Sequence, residues 1–360
     1  MVAINSFTAN ARGVDELGNL TAECFAPLGF TAQFVESAQP EYGRHLFLRR
    51  RASGGLDTPP VVLVTHLDTV FPAAEEARND FRWLEEGARI YGPGTVDNKG
   101  GTVLIWLMLR VMREALPEVF KQTHWLIAAN AAEEVIGSDF AARTHELCGG
   151  RAKAVLVFEG GPRQGADYHL VTSRKGRAEY RITCTGRAAH AGSSHSDGIN
   201  AVLELAKLLP RVAALTDLAH ELTVNVANVH GGSVLNRVPH EAVAELEMRA
   251  YDPAVLAAAG QALESMAGMT EGEAHVAIEC VGRTRSWPGG VQTEGLFSHW
   301  QAAAVALDLR AVPMKRGGLI LIRVQDEVNN PRPSTYPSDS SVIGSQTGQA
   351  FLELGSDAFH

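Results

Sequence analysis

The chain has 360 residues, 45% of them hydrophobic, enough for one large or two moderate domains with a real core. Its formal net charge of −9 is spread along the chain without a basic block, which argues against nucleic acid or an anionic membrane as partner and leaves small molecules or peptides. Cys24, Cys148, Cys184 and Cys280 are scattered without a CxxC pair, a usage that fits reduced thiols and excludes a cysteine zinc site.

Residues 1–12 lack a charged-then-apolar leader pattern, and no stretch reaches about 18 uninterrupted apolar residues, so a soluble cytoplasmic protein is expected. Residues 13–27 read as an amphipathic helix stopped by Pro27, followed by strands at 30–35 and 45–50 joined by a Pro/Gly turn. After a polar linker at 52–60, Val61-Val-Leu-Val-Thr65 reads as an apolar strand of the kind that helices bury on both faces. It delivers His66 and Asp68 at its C-terminal end.

Tyr91-Gly-Pro-Gly-Thr-Val-Asp-Asn-Lys-Gly-Gly101 then sets a lone carboxylate, Asp97, between glycine-rich turns. Residues 102–112 follow as a helix that is apolar nearly all round and therefore expected to be buried. A phosphate cradle is the competing reading of a glycine loop with a lysine, and the spacing rejects it. Lys99 follows Asn98 and precedes Gly100, whereas a P-loop needs Ser or Thr after its Lys, and Asp97 would repel phosphate. An apolar strand at 125–129 runs into Glu133 and Glu134, and another at 154–158 ends at Glu159.

From about Ser173 the texture changes. Strands at 178–184, 222–229 and 242–248, with helices near 199–215 and 254–266, give the β-α-β-β-α-β order of an inserted ferredoxin-like domain that ends near Arg283. A helix at 297–307 reads as a return to the first domain. The expected division is therefore 1–172 with 285–360, and 173–284 between them.

Taken singly, the polar residues at the strand ends have plain explanations. His66 reads equally as a satisfied core histidine, Asp97 as a turn carboxylate, Glu133 and Glu134 as a solvated helix start, and Glu159 as a charged loop tip. Jointly they cluster, because an open α/β sheet binds its ligands beyond the carboxyl ends of its strands. Imidazole and carboxylate donors suit zinc, with cobalt or manganese as alternatives, and a carboxylate can bridge two ions about 3.5–4 Å apart. Asp68 could orient the His66 imidazole. Adjacent Glu133 and Glu134 point different ways, so one can hold metal while the other acts as general base.

His66-Leu-Asp-Thr-Val70, Gly92-Pro-Gly-Thr-Val-Asp-Asn-Lys-Gly-Gly101, Glu133-Glu134 and Phe158-Glu-Gly-Gly161, in this order, resemble the dinuclear zinc peptidase family. That family contains glutamate carboxypeptidases, aminoacylases, acetylornithine deacetylases and succinyl-diaminopimelate desuccinylases, and the resemblance covers residues 10–318. It implies an α/β fold, an open, mostly parallel sheet flanked by helices of the zinc-exopeptidase type, with an inserted ferredoxin-like lid and dimerisation domain. It also implies two zinc ions, bridged by Asp97 and held by His66, Glu134 and Glu159. Glu133 would be the general base and Asp68 would orient His66.

In the inserted domain, Gly186-Arg-Ala-Ala-His-Ala-Gly192 and Gly198-Ile-Asn-Ala201 are similar to the family's dimer-side motif. By that likeness His190 would reach the active site of the partner subunit of a homodimer; read alone, it is a strand-end polar residue. Asn236 and Arg249 resemble the family's substrate-side Asn and Arg, and Arg316 opens a segment like one near its substrate site. An Arg suits a substrate carboxylate through its planar fork, although Arg249 reads equally as a surface strand residue.

The expected activity is hydrolysis of an amide or peptide bond next to a free carboxylate, on a small-molecule or dipeptide-like substrate. A glutamate-type carboxypeptidase is favoured by His66-Leu-Asp-Thr-Val-Phe-Pro72 and Arg249, with an N-acyl-amino-acid deacylase as the alternative. The resemblance breaks after Leu319. The Ser-Asp or Thr-Asp pair and the later histidine that supplies the remaining zinc ligand do not follow, and after His299 the next histidine is His360. The tail from about 320 is atypical, with loop composition at 329–348. A catalytically impaired homologue acting as a dimeric binding protein is the reading this departure supports.

Overall fold

The computed structural model describes residues 1–39, 41–54, 58–135, 139–160, 163–164, 166–316 and 322–323. The altered tail beyond Arg323, His360 within it, and Gly161 of the fourth motif lie outside the described residues.

Helix α1 (Ala11–Phe25) starts where the Asn10 side chain accepts the Gly13 N–H at 3.2 Å, the usual N-cap arrangement. Pro27 sits in a 3₁₀ turn that closes it, and Gly29 at φ 85° takes the left-handed position that redirects the chain. Strands β1 (Thr31–Val35), β2 (His45–Arg50) and β3 (Val61–His66) follow, then α2 (Ala73–Arg78) and the short hairpin β4 (Leu84–Glu86) and β5 (Arg89–Tyr91). Next come α3 (Lys99–Ala115), α4 (Pro117–Gln122), β6 (Trp125–Asn130), α5 (Phe140–Leu147), β7 (Ala154–Val157), β8 (Arg163–Gln164) and β9 (Asp167–Arg174).

The remaining elements are β10 (Gly176–Thr185), α6 (Ala201–Ala213), β11 (Thr223–Gly231), β12 (Glu241–Ala250), α7 (Pro253–Glu264), β13 (Gly268–Met269) and β14 (His275–Thr284). Helix α8 (Val291–Ala306) and strands β15 (Arg310–Arg316) and β16 (Ile322–Arg323) complete them. The chain divides into two compact units. Among the described residues, one contains Met1–Thr172, Gly289–Lys315 and Ile322–Arg323, and the other Ser173–Pro288 with Arg316.

In the first unit the sheet order is β1-β2-β6-β3-β7-β16. The three central strands, β6, β3 and β7, run parallel, and the flanking pairs are antiparallel. Side chains alternate between two packed layers, as strand periodicity dictates. Leu46, Leu48, Leu63, Trp125, Ile127 and Ala129 meet α1 and α3 on one face. Phe47, Val62, Val64, Leu126 and Ala128 meet Phe140 of α5 on the other. This two-sided burial explains why β3 and β6 read as continuous apolar runs.

Helix α3 departs from the expectation of burial all round. It presents one buried stripe, Gly101, Thr102, Ile105 and Leu109, to the sheet, while Val103, Leu104, Leu107 and Val111 are 37–51% exposed. A helix laid on one sheet face hides only the side chains of a single 3.6-residue stripe, and no second layer covers its outer face among the described residues.

The second unit is an antiparallel sheet of order β11-β12-β10-β14-β13. Ala178, Tyr180, Ile182 and Cys184 of β10 and Ala242, Ala244, Leu246, Met248 and Ala250 of β12 point inward at every second residue. They pack against Leu205, Leu208 and Val212 of α6 and Leu263 of α7. The four described cysteines are free. No helix among the described residues is long and apolar enough to cross a membrane.

Candidate metal centre

Strands β3, β6 and β7 are parallel neighbours, so the loops that follow them open on one edge of the sheet. His66 ends β3, Glu133 and Glu134 follow the end of β6, and Glu159 lies two residues past β7. Asp97 comes to the same edge on the loop before α3. Gly94 in that loop has φ 78°, a backbone conformation that L side chains rarely adopt. Gly101 begins the helix where a Cβ would overlap Asn98 Oδ1 and come within 2.8 Å of the Phe158 carbonyl oxygen.

Two groups of potential ligand atoms share His66. One is His66, Asp97 and Glu159, and the other His66, Glu133 and Glu134, each with atoms within 4.8 Å of one another. His66 is fully buried, with Nε2 2.7 Å from Asp97 Oδ1 and 3.6 Å from Glu159 Oε1. Its Nδ1 faces two acceptors, the Asp68 carbonyl at 3.0 Å and Asp68 Oδ1 at 3.2 Å. Nδ1 is therefore a donor to Asp68, and Nε2, directed at Asp97 and Glu159, is the nitrogen that would give up its proton to a cation.

Asp68, fully buried, takes two donors on each oxygen. Oδ1 accepts from His66 Nδ1 and the Glu133 backbone N–H at 3.0 Å; Oδ2 accepts from the Glu134 backbone N–H at 3.1 Å and the Thr8 hydroxyl at 2.8 Å. The sequence places His66 and Asp68 together at the C-terminal end of β3. In fact β3 ends at His66, and Asp68 returns to the imidazole through the turn after it.

The electrostatics follow from crowding carboxylates in a dry place. Burial, reinforced by Glu159, Asp68 and Glu134 and opposed by His66, pushes the Glu133 carboxyl up to about 9. Burial disfavours charge on His66, but Glu159 and hydrogen bonds to Asp68 and Asp97 outweigh it and hold that imidazole well above its usual range. Glu133 Oε2 is buried without a hydrogen-bond partner. An imidazole ringed by carboxylates, one with an orphaned buried oxygen, is a donor set suited to a divalent cation.

Three residues outside the expected site set complete the surroundings, two of them, Asn98 and Lys99, within the glycine-rich motif. Asn98, fully buried, donates from Nδ2 to Phe158 O and, at 3.0 Å, to Glu159 Oε1, holding that carboxylate. Its position beside Asp97 before an apolar helix was the only cue. Lys99, 2% exposed, donates from Nζ to the Ile4 carbonyl at 2.8 Å, and burial lowers its pKa to about 8 despite Glu76. Thr8 is invisible in sequence because its contact with Asp68 crosses 60 positions.

The other expected site residues, His190, Asn236 and Arg249, lie in the second unit. Exposed His190 accepts the Gly192 and Ser193 N–H groups on Nδ1, both at 3.1 Å, which leaves its proton on Nε2. Asn236 is exposed, and its carbonyl accepts the Ala191 N–H at 2.9 Å. The Arg249 fork holds Glu247, with Nε on Oε1 and Nη2 on Oε2, both at 2.9 Å. Arg316 ends β15, and its side chain lies outside the described residues.

The description "Peptidase dimerisation domain" belongs to the family model that matches residues 172–273. Carboxypeptidase G2 of Pseudomonas sp. (strain RS-16) is 30% identical over 250 residues, 69% of this chain and 58% of that protein. Acetylornithine deacetylase of Klebsiella pneumoniae (strain 342) is 28% identical over 255 residues, 66% of this chain and 62% of that one. The chain thus spans about three fifths of the length of the curated relatives it matches.

Aminopeptidase PepT from Bacillus cereus ATCC 10987 superposes with a TM-score of 0.71 at 19% identity, over 88% of this chain and 82% of that one. A tripeptidase from Staphylococcus aureus subsp. aureus Mu50 does so at 0.65 and 22%, with the same coverage. These two share the fold. Residues 172–273 thus match a peptidase dimerisation domain, the chain resembles the two curated hydrolases, and it shares the fold of the two peptidases.

Proposed function

We propose that the chain is a metal-dependent hydrolase of an amide or peptide bond next to a free carboxylate, with a glutamate-type carboxypeptidase activity favoured. The observation that carries this reading is the meeting of Asp97 and Glu159 with Glu133 and Glu134 around the buried His66. Likeness to carboxypeptidase G2 supports the carboxypeptidase form, and likeness to acetylornithine deacetylase supports an N-acyl-amino-acid deacylase as the second form.

His66, Asp97, Glu134 and Glu159 would hold two zinc ions, or cobalt or manganese. Bound there, the metals would supply Lewis-acid polarisation of the scissile carbonyl and a lowered water pKa. Glu133, ionised once cation charge offsets the burial that holds its carboxyl up, would take the proton of the attacking water and return it to the leaving amine nitrogen, a role worth about 10²–10⁴ in rate. Asp68 keeps the His66 ring oriented and its proton on Nδ1. His190, with its proton on Nε2, is a donor suited to developing negative charge on the substrate oxygen. Asn236, Arg249 and Arg316 are the candidate contacts to the substrate, Arg249 being available to a carboxylate when it exchanges Glu247 for it.

The match to a dimerisation domain supports a homodimer formed through the second unit, where β11 is a sheet edge. The even spread of charge, without a basic block, supports a small-molecule or peptide substrate rather than nucleic acid.

The test is zinc-loaded, folded protein incubated with N-acyl amino acids and dipeptides bearing a free carboxylate, with amine release as readout. Glu133→Gln should lose about 10²–10⁴ of the rate while retaining metal. No cleavage by the loaded wild-type protein would sink the hydrolase reading and leave a dimeric binding protein.

A further inference from the structure

We infer that Thr8 is a positioning residue of the metal centre, acting through Asp68, and that the segment from Ile4 to Thr8 is a structural part of that centre. The inference rests on the metal-site reading of His66 and deepens it.

Asp68 is fully buried, and each of its oxygens has two donors; among the described residues the Thr8 hydroxyl, 2.8 Å from Oδ2, is the one side-chain donor besides His66. A buried carboxylate holds its orientation only as well as its donors hold it. Remove the hydroxyl and Oδ2 keeps a single bond, to the Glu134 N–H. The carboxylate can then rotate away from His66 Nδ1 and from both glutamate amides.

Thr8 is itself fixed. Its N–H donates to the Thr69 carbonyl at 3.1 Å, and the Thr69 N–H donates back to the Ser6 carbonyl at 2.8 Å. Residues 7 and 69 form a parallel bridge. The Asn5 side chain donates to the Phe71 carbonyl at 3.0 Å. Lys99, two residues beyond Asp97, reaches the Ile4 carbonyl. One short segment thus ties the turn after His66 to the first turn of the helix that follows Asp97. Partners one step removed from metal ligands commonly change metal affinity about 10–100-fold.

The test compares Thr8→Val, which keeps the shape and removes the hydroxyl, with Thr8→Ser, which keeps the hydroxyl. Zinc affinity is read by competition with a chromophoric chelator. Backbone amide exchange at Glu133 and Glu134 is read in the metal-free protein, with amides of β10 and β12 as an internal control for general loosening. Thr8→Val should weaken zinc binding about tenfold and speed exchange at Glu133 and Glu134 about tenfold, leaving β10 and β12 unchanged. Thr8→Ser should restore both.

Exchange at Glu133 and Glu134 unchanged in Thr8→Val, or raised equally in Thr8→Ser, would overturn the inference. If the wild-type protein takes up no zinc, the metal reading falls, and the exchange comparison by itself upholds or overturns the role of Thr8.

Discussion

Asp68 Oδ1 accepts the backbone N–H of Glu133 at 3.0 Å, so the group that orients His66 also fixes the chain carrying the candidate general base. One buried carboxylate couples the two halves of the site, because its four acceptor positions are divided between them.

Replacing Asp68 with Asn tests that coupling. The amide would present N–H groups to one pair of existing donors, leaving at least one buried donor unpaired at a cost of about 1–3 kcal/mol. Relief of carboxylate crowding acts the other way but is smaller, since Asp68 is satisfied on both oxygens. The expected result is a lower unfolding temperature and zinc affinity reduced about 10–100-fold, measured by thermal denaturation and chelator competition. Wild-type zinc affinity in this variant would contradict the coupling.

Gly101→Ala should disrupt the loop that brings Asp97 and Glu159 together. The new Cβ would overlap Asn98 Oδ1 and press on the Phe158 carbonyl, and backbone on that side cannot yield as a flexible side chain can. Zinc per chain after loading should fall below the wild-type value while the second unit keeps its fold. Elemental analysis alongside far-ultraviolet circular dichroism checks both.

The one-sided burial of α3 makes a paired prediction. Ile105 is fully buried against the sheet and Val111 is 51% exposed. Ile105→Ala should cost about 2–5 kcal/mol of stability through lost burial and a residual cavity. Val111→Ala should stay within about 0.5 kcal/mol. Denaturant midpoints measure the difference, and equal losses would mean that the outer face is covered.

His45 links stability to pH. It is fully buried, accepts the Ala131 N–H on Nδ1 at 3.1 Å, and has Nε2 3.3 Å from Asp139 Oδ2. Burial lowers its pKa in spite of Asp139, so below about pH 6.5 the unfolded chain takes up a proton that the folded one resists. Its contribution is fully present above that pH and is lost as pH falls toward the folded-state pKa. His45→Gln, which keeps an acceptor and a donor, should flatten the decline in stability below about pH 6.5. Denaturation curves across that range decide it, and an unchanged slope would exclude His45 as its source.

What the sequence determined by itself was local and periodic. Apolar runs at 61–65 and 125–129 read as strands because both faces of each are buried, and the change of texture from about Ser173 read as a second, inserted domain. The order of elements at 173–284 was enough for the ferredoxin-like arrangement, since each element carries its own period. His66 and Asp97 stood out because a charged group beside an apolar strand or a glycine turn needs a reason to be there. Only the tertiary structure decided that Asp68 receives Thr8 on one oxygen, that Asn98 holds Glu159, and that α3 is covered on one side. Those facts depend on which distant segments come within about 3 Å of one another, the range at which a hydrogen bond forms, and no local period encodes that distance.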